Sequence, residues 1–349
     1  MVYSPTNLGR TSISRSLAKL PLPTDGYDAC FCTSANGIAA ETCSADAGLV
    51  NSTFYTDFTS GDSAFKYWNT TAGTVSSTSL GAEFSIKEQG DAPTIQSDFY
   101  IFFGYVEMKM RAANGTGIVS TLVIESDDLD ELDWEQVSSY DNQIQTNYFG
   151  KGNTTSYDRA TTVTVSTPEE TFHTYAINWT SSKTEWLVDG SVVRTLNYAD
   201  ALDGENYPQT PSRIKIGIWA GGDPDNEEGT IEWAGGETDY DDSPFTMYVE
   251  SIKVINYNPA KSYTYTDKTG AYTSIKASNV STASNSTTST TSLFHTNTVS
   301  SSNSSSSSSS ASAAASSTAS SGASTLSSSY LGSVFAVALV TMATGMIRI

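Results

Sequence analysis

Glu131, Asp133 and Glu135 stand at alternate positions in the run Asp130-Glu131-Leu132-Asp133-Trp134-Glu135. In an extended strand alternate side chains share a face, so the three carboxylates project together while Leu132 and Trp134 turn the other way. Three anions on one surface repel one another. The arrangement is useful where environment drives pKa values apart, so that one carboxyl carries a proton while a neighbour attacks. Retaining cleavage of a glycosidic bond uses such a pair, roughly 5 to 5.5 Å apart. The α-carbons of Glu131 and Glu135 lie about 13 Å apart along an extended strand, and long side chains leaning together on a curved strand close that gap. Asp133 is too short to be either partner, but it can hydrogen-bond the nucleophile and raise its neighbours' pKa as a third charge. An alternating acidic strand can also be a solvated edge. Leu132 and Trp134 argue against that here, because they require the opposite face to be buried.

The elements that must position these groups read as strands, with little helical periodicity. Strand patterns run over 82–87, 98–111, 117–125, 131–137, 143–149, 172–179, 184–196, 213–219 and 246–256, with Gly, Asn or Asp between them. Within 184–196 the pair Asp189-Gly190 predicts a hairpin turn, and Trp186, Val188, Val192 and Val193 read as core. In 213–219 the row Ile214, Ile216, Ile218 is apolar, which turns Arg213, Lys215, Gly217 and Trp219 to the opposite face. Gln143, Gln145 and Asn147 alternate with apolar Ile144. Thr230 and Glu232 alternate with Ile231 and Trp233 as in a further strand. Joined in one sheet, these polar faces form a groove of carboxylates, amides, a lysine and a tryptophan. Such grooves suit sugars, whose hydroxyls need hydrogen-bonding partners and whose C–H faces stack on aromatic rings. Trp219 is an alternative core residue, but its parity opposite three isoleucines favours the groove.

The chain has 349 residues with 18 Lys and Arg against 38 Asp and Glu, a formal net charge of -20. Such a surface repels phosphate backbones, which makes nucleic acid an unsuitable partner. Beyond about residue 273 Ser, Thr, Ala and Asn dominate, and that composition cannot offset the entropy of ordering. The expected layout is an N-terminal segment 1–29 without a visible signal peptide, a folded unit 30–260, a Ser/Thr-rich stalk 261–329 and an apolar tail 330–349. Small residues around Gly322, a polar spacer and that tail have the layout of a glycosylphosphatidylinositol attachment signal, with Gly322 as the attachment residue. A single marginal membrane helix is the alternative. Of Cys30, Cys32 and Cys43, neighbours in an x-Cys-x-Cys pair rarely bridge, so Cys32 to Cys43 is the expected disulfide and Cys30 is left over. Three thiols without a nearby His do not make a zinc site, and no metal or cofactor is expected. Sequons at Asn51, Asn69, Asn114, Asn153 and Asn178, with Asn279, Asn285 and Asn303 beyond, point to the secretory route and the cell surface.

The run at 130–135 resembles the catalytic signature of glycoside hydrolase family 16. Ile95-Gln-Ser-Asp-Phe-Tyr-Ile-Phe-Phe-Gly104, Gln145-Thr-Asn-Tyr-Phe-Gly-Lys-Gly152, Gly217-Ile-Trp-Ala-Gly-Gly-Asp-Pro224 and Gly229-Thr-Ile-Glu-Trp-Ala-Gly-Gly-Glu-Thr-Asp-Tyr240 resemble, more narrowly, the Crh-type fungal cell-wall transglycosylases. The resemblance covers roughly residues 50–257, with Leu132 standing where many relatives have Ile. It implies an all-β, concanavalin-like β-jelly-roll sandwich of two antiparallel sheets with a concave groove, followed by a disordered tail. It further implies a monomer that cuts chitin as donor and rejoins the chain to β-glucan as acceptor, held to the membrane by its lipid anchor alone. By position Glu131 resembles the nucleophile, Glu135 the proton donor and Asp133 the assisting acid. Lys215, Trp219 and Thr230 resemble sugar-binding positions, with Gln145, Asn147, Tyr157 and Arg159 as further candidates. A β-glucan or chitin hydrolase, or a non-catalytic wall lectin, would share the same sandwich.

Overall fold

A computed structural model of the chain describes residues 45–280. The expected disulfide Cys32–Cys43, the leftover Cys30, most of the stalk, Gly322 and the apolar tail lie outside the described residues. In chain order the strands begin with β1 Asp46–Ala47, β2 Thr53–Asp57, β3 Trp68–Ala72, β4 Val75–Thr78, β5 Gly81–Ile86 and β6 Thr94–Ser97. Next come β7 Gly104–Arg111, β8 Ile118–Ser126, β9 Glu131–Val137, β10 Gln143–Phe149, β11 Thr161–Thr164 and β12 His173–Trp179. The remainder supplies β13 Lys183–Val188, β14 Ser191–Asn197, β15 Ser212–Ala220, helix α1 Glu228–Trp233, β16 Phe245–Asn256, β17 Ser262–Tyr265 and β18 Ile275–Ala277.

Two antiparallel sheets hold most of these strands. One runs in the order β11-β10-β9-β8-β15-β6-β3, the other β14-β13-β12-β7-β16-β5-β4, with β2 also pairing β16. Between them lies one apolar core. Ile214, Ile216 and Ile218 are fully buried, as are Leu132 and Trp134 from β9 and Met108, Tyr175, Ile177 and Trp186 from the facing sheet. Each such side chain contributes roughly 1.5 to 3 kcal/mol on burial. Two indoles stitch the layers across that core: Trp134 Nε1 donates to the Ala176 carbonyl at 3.1 Å, and Trp186 Nε1 donates to the Asp133 carbonyl at 3.0 Å.

Local chemistry fixes several strand ends. Asp189 and Gly190 both take positive φ, 47° and 77°, which is the twist a two-residue hairpin turn needs. The pattern read as one strand over 98–111 is broken at Phe103, whose φ is 58°, and regular pairing starts at Gly104. A Cβ on Gly104 would stand 2.6 Å from the Ile255 carbonyl, so the β7–β16 approach requires glycine there. Val192 and Val193, expected in the core, are 51% and 38% exposed. They sit on β14, the edge strand of its sheet, where the register to β13 shifts at Trp186/Leu187, and such an irregularity at a sheet edge re-aims side chains.

Two further differences bear on the site. The segment 228–233, read as an alternating strand, is helix α1. Its buried residues Thr230 and Trp233 are three apart, a spacing that satisfies one helix face as well as it mimics alternation, and Glu227 and Glu228 suit a helix N-terminus. The fold also continues past residue 260, where β17 pairs β1 and β18 pairs β17 in a small third sheet.

Candidate active site

Register places the outward side chains of the seven-stranded sheet in rows. β9 is flanked by β8 and β10, with Glu131 opposite Glu125 and Phe149, Asp133 opposite Val123 and Asn147, and Glu135 opposite Thr121 and Gln145. β15 extends the rows, setting Arg213 beside Glu125, Lys215 beside Val123, Gly217 beside Thr121 and Trp219 beside Val119. Because register partners share a face, Glu131, Asp133, Glu135, Lys215, Trp219, Gln145 and Asn147 all lie on the outer side. The fully buried Leu132 and Trp134 beneath them fix that orientation, since a one-residue slip would put both in water.

Electrostatics on this face are unusual. Glu131 and Glu135 are half-buried and Asp133 is 2% exposed. Burial first, then the charge of Glu131, pushes Glu135 up to about 8. Burial likewise holds Glu131 well above the usual carboxylate range, reinforced by Asp133 and Glu125 and opposed by Lys215. Asp133 is raised by burial and by Glu135, with Arg194 pulling the other way. The three groups act on one another's charge from one face of one strand. At neutral pH at least one of them carries a proton, so the face can present both a donor and an anion.

Around the acids, several expected positions take specific partners. Lys215 is ion-paired with Glu125. Gln145 accepts a hydrogen bond from Trp233 Nε1 at 3.1 Å, and Asn147 Oδ1 accepts from the Tyr148 N–H. Trp219 is 8% exposed and stacks on Trp233, ring centroids 5.9 Å apart and planes 19° apart, within a small apolar cluster that includes Val119, Val137 and Ala234. Tyr157 packs against that cluster and stands edge-on to Phe149. Thr230 is buried in α1. Arg159 donates to the carbonyls of Asn153 and Ser156 and lies over the Phe149 ring, so its guanidinium braces the 153–159 loop.

Three participants were not singled out from sequence. Glu125 ends the β8 alternation Val119, Thr121, Val123, Glu125, and the parity rule applied to β15 would have found it. Trp233 was assigned to the inner face of a strand, whereas the helix turns it onto Trp219. Arg194, on the other sheet, donates to Thr146 and to the Arg159 carbonyl and lies 4.6 Å from the Trp186 ring, a cross-layer placement no local pattern signals.

With this geometry in hand, the likeness to other proteins is informative. The family model described as glycosyl hydrolases family 16 matches residues 60–235. Crh-like protein 1 of Aspergillus fumigatus is 65% identical over 229 residues, 66% of this chain and 64% of that protein. The solved structure of the Crh5 transglycosylase in complex with NAG is 57% identical, with a TM-score of 0.66, over 68% of this chain and 97% of that one. Bacillus licheniformis beta-glucanase, 23% identical with a TM-score of 0.50 over 60% of this chain and 100% of that one, is alike in fold alone. The matched part spans 64%, 60% and 52% of the lengths of three curated relatives.

Proposed function

The chain belongs to the glycosyl hydrolases family 16, and from that premise we propose that it is a retaining transglycosylase of the cell wall. It cleaves chitin and transfers the released chain to β-glucan. The observation that carries this reading is the outer face of β9, where three carboxylates share one side of a strand and Glu135 is pushed up to about 8.

Glu131 attacks the anomeric carbon of the chitin donor while Glu135 gives its proton to the departing glycosidic oxygen. One C–O bond breaks, one forms, and a covalent glycosyl-enzyme ester remains. Glu135, now anionic, takes the proton of an incoming glucan hydroxyl, whose oxygen displaces Glu131 and regenerates both carboxyls. Asp133 keeps charge close to the nucleophile and supports its return to the resting protonation state. Gln145 and Asn147, opposite Glu135 and Asp133, face the sugar, and the Trp219–Trp233 pair gives an apolar wall at one end. Lys215, Thr230, Tyr157 and Arg159 complete the sugar-holding surroundings in this reading. The unit acts as a monomer, displayed at the cell surface on a stalk anchored at Gly322 with the Cys32–Cys43 bridge formed; phospholipase release from membranes and thiol titration test those two points.

Incubation with chitin oligomers and a labelled glucan oligomer tests the activity. Labelled products longer than the acceptor are expected. Products that end only in water-derived reducing ends would make the chain a hydrolase, and sugar binding without turnover would make it a lectin.

A further inference from the structure

Glu125 is a fourth carboxylate on the reacting face, and nothing in the cycle above uses it. It sits directly across from Glu131 in the β8–β9 register and directly across from Arg213 in the β8–β15 register. Its Oε2 is ion-paired with Lys215, and the two side chains are only 17% and 26% exposed. A pair this covered is screened far less than one on an open surface.

The charges around Glu131 can be set out strand by strand. On β9 itself are Asp133, whose charge disfavours the Glu131 anion, and Glu135, whose own carboxyl is raised by Glu131. On β10 the partner is Phe149, which carries no charge. On β8 it is Glu125. β15 brings Lys215 and Arg213, but the Arg213 guanidinium lies 4.3 Å from the Tyr100 ring centroid, directed to that side of the sheet. Arg194, from the other layer, acts on Asp133. Lys215 is therefore the cation that acts on Glu131 itself, and its ammonium is held by Glu125.

We propose that Glu125 is a positioning residue for the reaction proposed above, on which this inference rests: by binding the Lys215 ammonium it keeps that cation off Glu131, so the nucleophile's charge is set by a pair one strand away. Two opposed influences act on Glu131 through this pair, since Glu125 disfavours its anion and Lys215 favours it. Removing either member unbalances them in a known direction. In Glu125→Gln the repulsion is lost and Lys215 is free to turn to Glu131, so the nucleophile ionises at lower pH. In Lys215→Met an unpaired carboxylate is left beside Glu131, so the nucleophile ionises at higher pH.

The experiment is the pH profile of kcat/KM for chitin oligomers plus glucan acceptor, recorded for the parent chain, both single variants and the double variant. The acid limb reports ionisation of the nucleophile within its coupled set. It is expected to move down by about one pH unit in Glu125→Gln and up by about one unit in Lys215→Met, with the double variant close to the parent. An acid limb that stays in place in both single variants overturns the proposal. So does a Lys215→Met variant whose KM rises at every pH while its acid limb stays in place, because that confines Lys215 to holding sugar and leaves it no influence on the nucleophile's charge. If Glu125→Gln does not fold, the upward shift in Lys215→Met still decides the matter. A parent chain without turnover overturns the transglycosylase reading itself, whereas a normal bell indifferent to the variants overturns this inference alone.

Discussion

Asp130 and Glu135 lie five positions apart on one acidic run, yet the protein treats them in opposite ways. Asp130 is fully buried and surrounded by donors: the Gln209 N–H at 2.8 Å, the Thr210 hydroxyl at 2.7 Å and the Lys151 N–H at 2.9 Å, with the Lys151 ammonium 3.7 Å away. Burial raises its pKa, and each of those groups holds it back. Glu135 is raised by burial and by Glu131 with no group opposing. Burial alone therefore does not make a catalytic acid. An acid supplied with compensating donors, as Asp130 is, becomes a fixed brace between the β8–β9 loop and the 209–210 segment, whereas Glu135 keeps a proton that the proposed reaction can use.

The contrast is broken most severely at its reactive end. Glu135→Gln is expected to lower kcat for transfer about 10³-fold while leaving the affinity for chitin oligomers nearly unchanged, as measured by steady-state kinetics and calorimetry. At the structural end, Asp130→Ala leaves Lys151 buried without its partner and strips the Gln209 and Thr210 donors of their acceptor. A loss of about 3 to 5 kcal/mol in urea unfolding is expected. Glu135→Gln should not destabilise in this way.

A smaller effect separates the two by pH. Glu135 has a folded pKa of about 8 against an ordinary 4.5, so folding favours its protonated form. That contribution is complete below about 4.5 and is lost as pH rises through about 8, with a slope of at most about 1.4 kcal/mol per pH unit inside the window. Denaturant melts from pH 4 to pH 9 check this, and Glu135→Gln should flatten the slope. The smallest change is expected from Trp219→Ala, which removes a stacked ring at the edge of the face. It should cost about 1 kcal/mol, read as a several-fold rise in KM with kcat little altered.

Much of this was legible from residue spacing. The inner row Ile214, Ile216, Ile218 and the pair Leu132 and Trp134 fixed which side of β15 and β9 faces the core, and burial follows that parity. The hairpin at Asp189-Gly190 was equally legible, since both residues tolerate positive φ. What escaped was decided by partners far away in sequence. Val192 and Val193 look like core until β14 proves to be an edge strand. Thr230 to Trp233 alternates like a strand, and the helix that forms there instead seats Trp233 over Trp219, a partner distant in sequence. Glu125 reads as a strand terminus until pairing with β9 and β15 sets it beside Glu131 and Lys215.

The indole of Trp186 reaches from the other layer to the backbone carbonyl of Asp133, and that of Trp134 reaches back to Ala176. Those two bonds make the segment bearing the acids unable to loosen on its own. Amide hydrogens from Glu131 to Glu135 should therefore exchange with solvent only when the whole domain opens. The spacing between its carboxyl groups is a property of the entire sandwich, and substitutions deep in the interior, far from any sugar, should be felt as changes in rate.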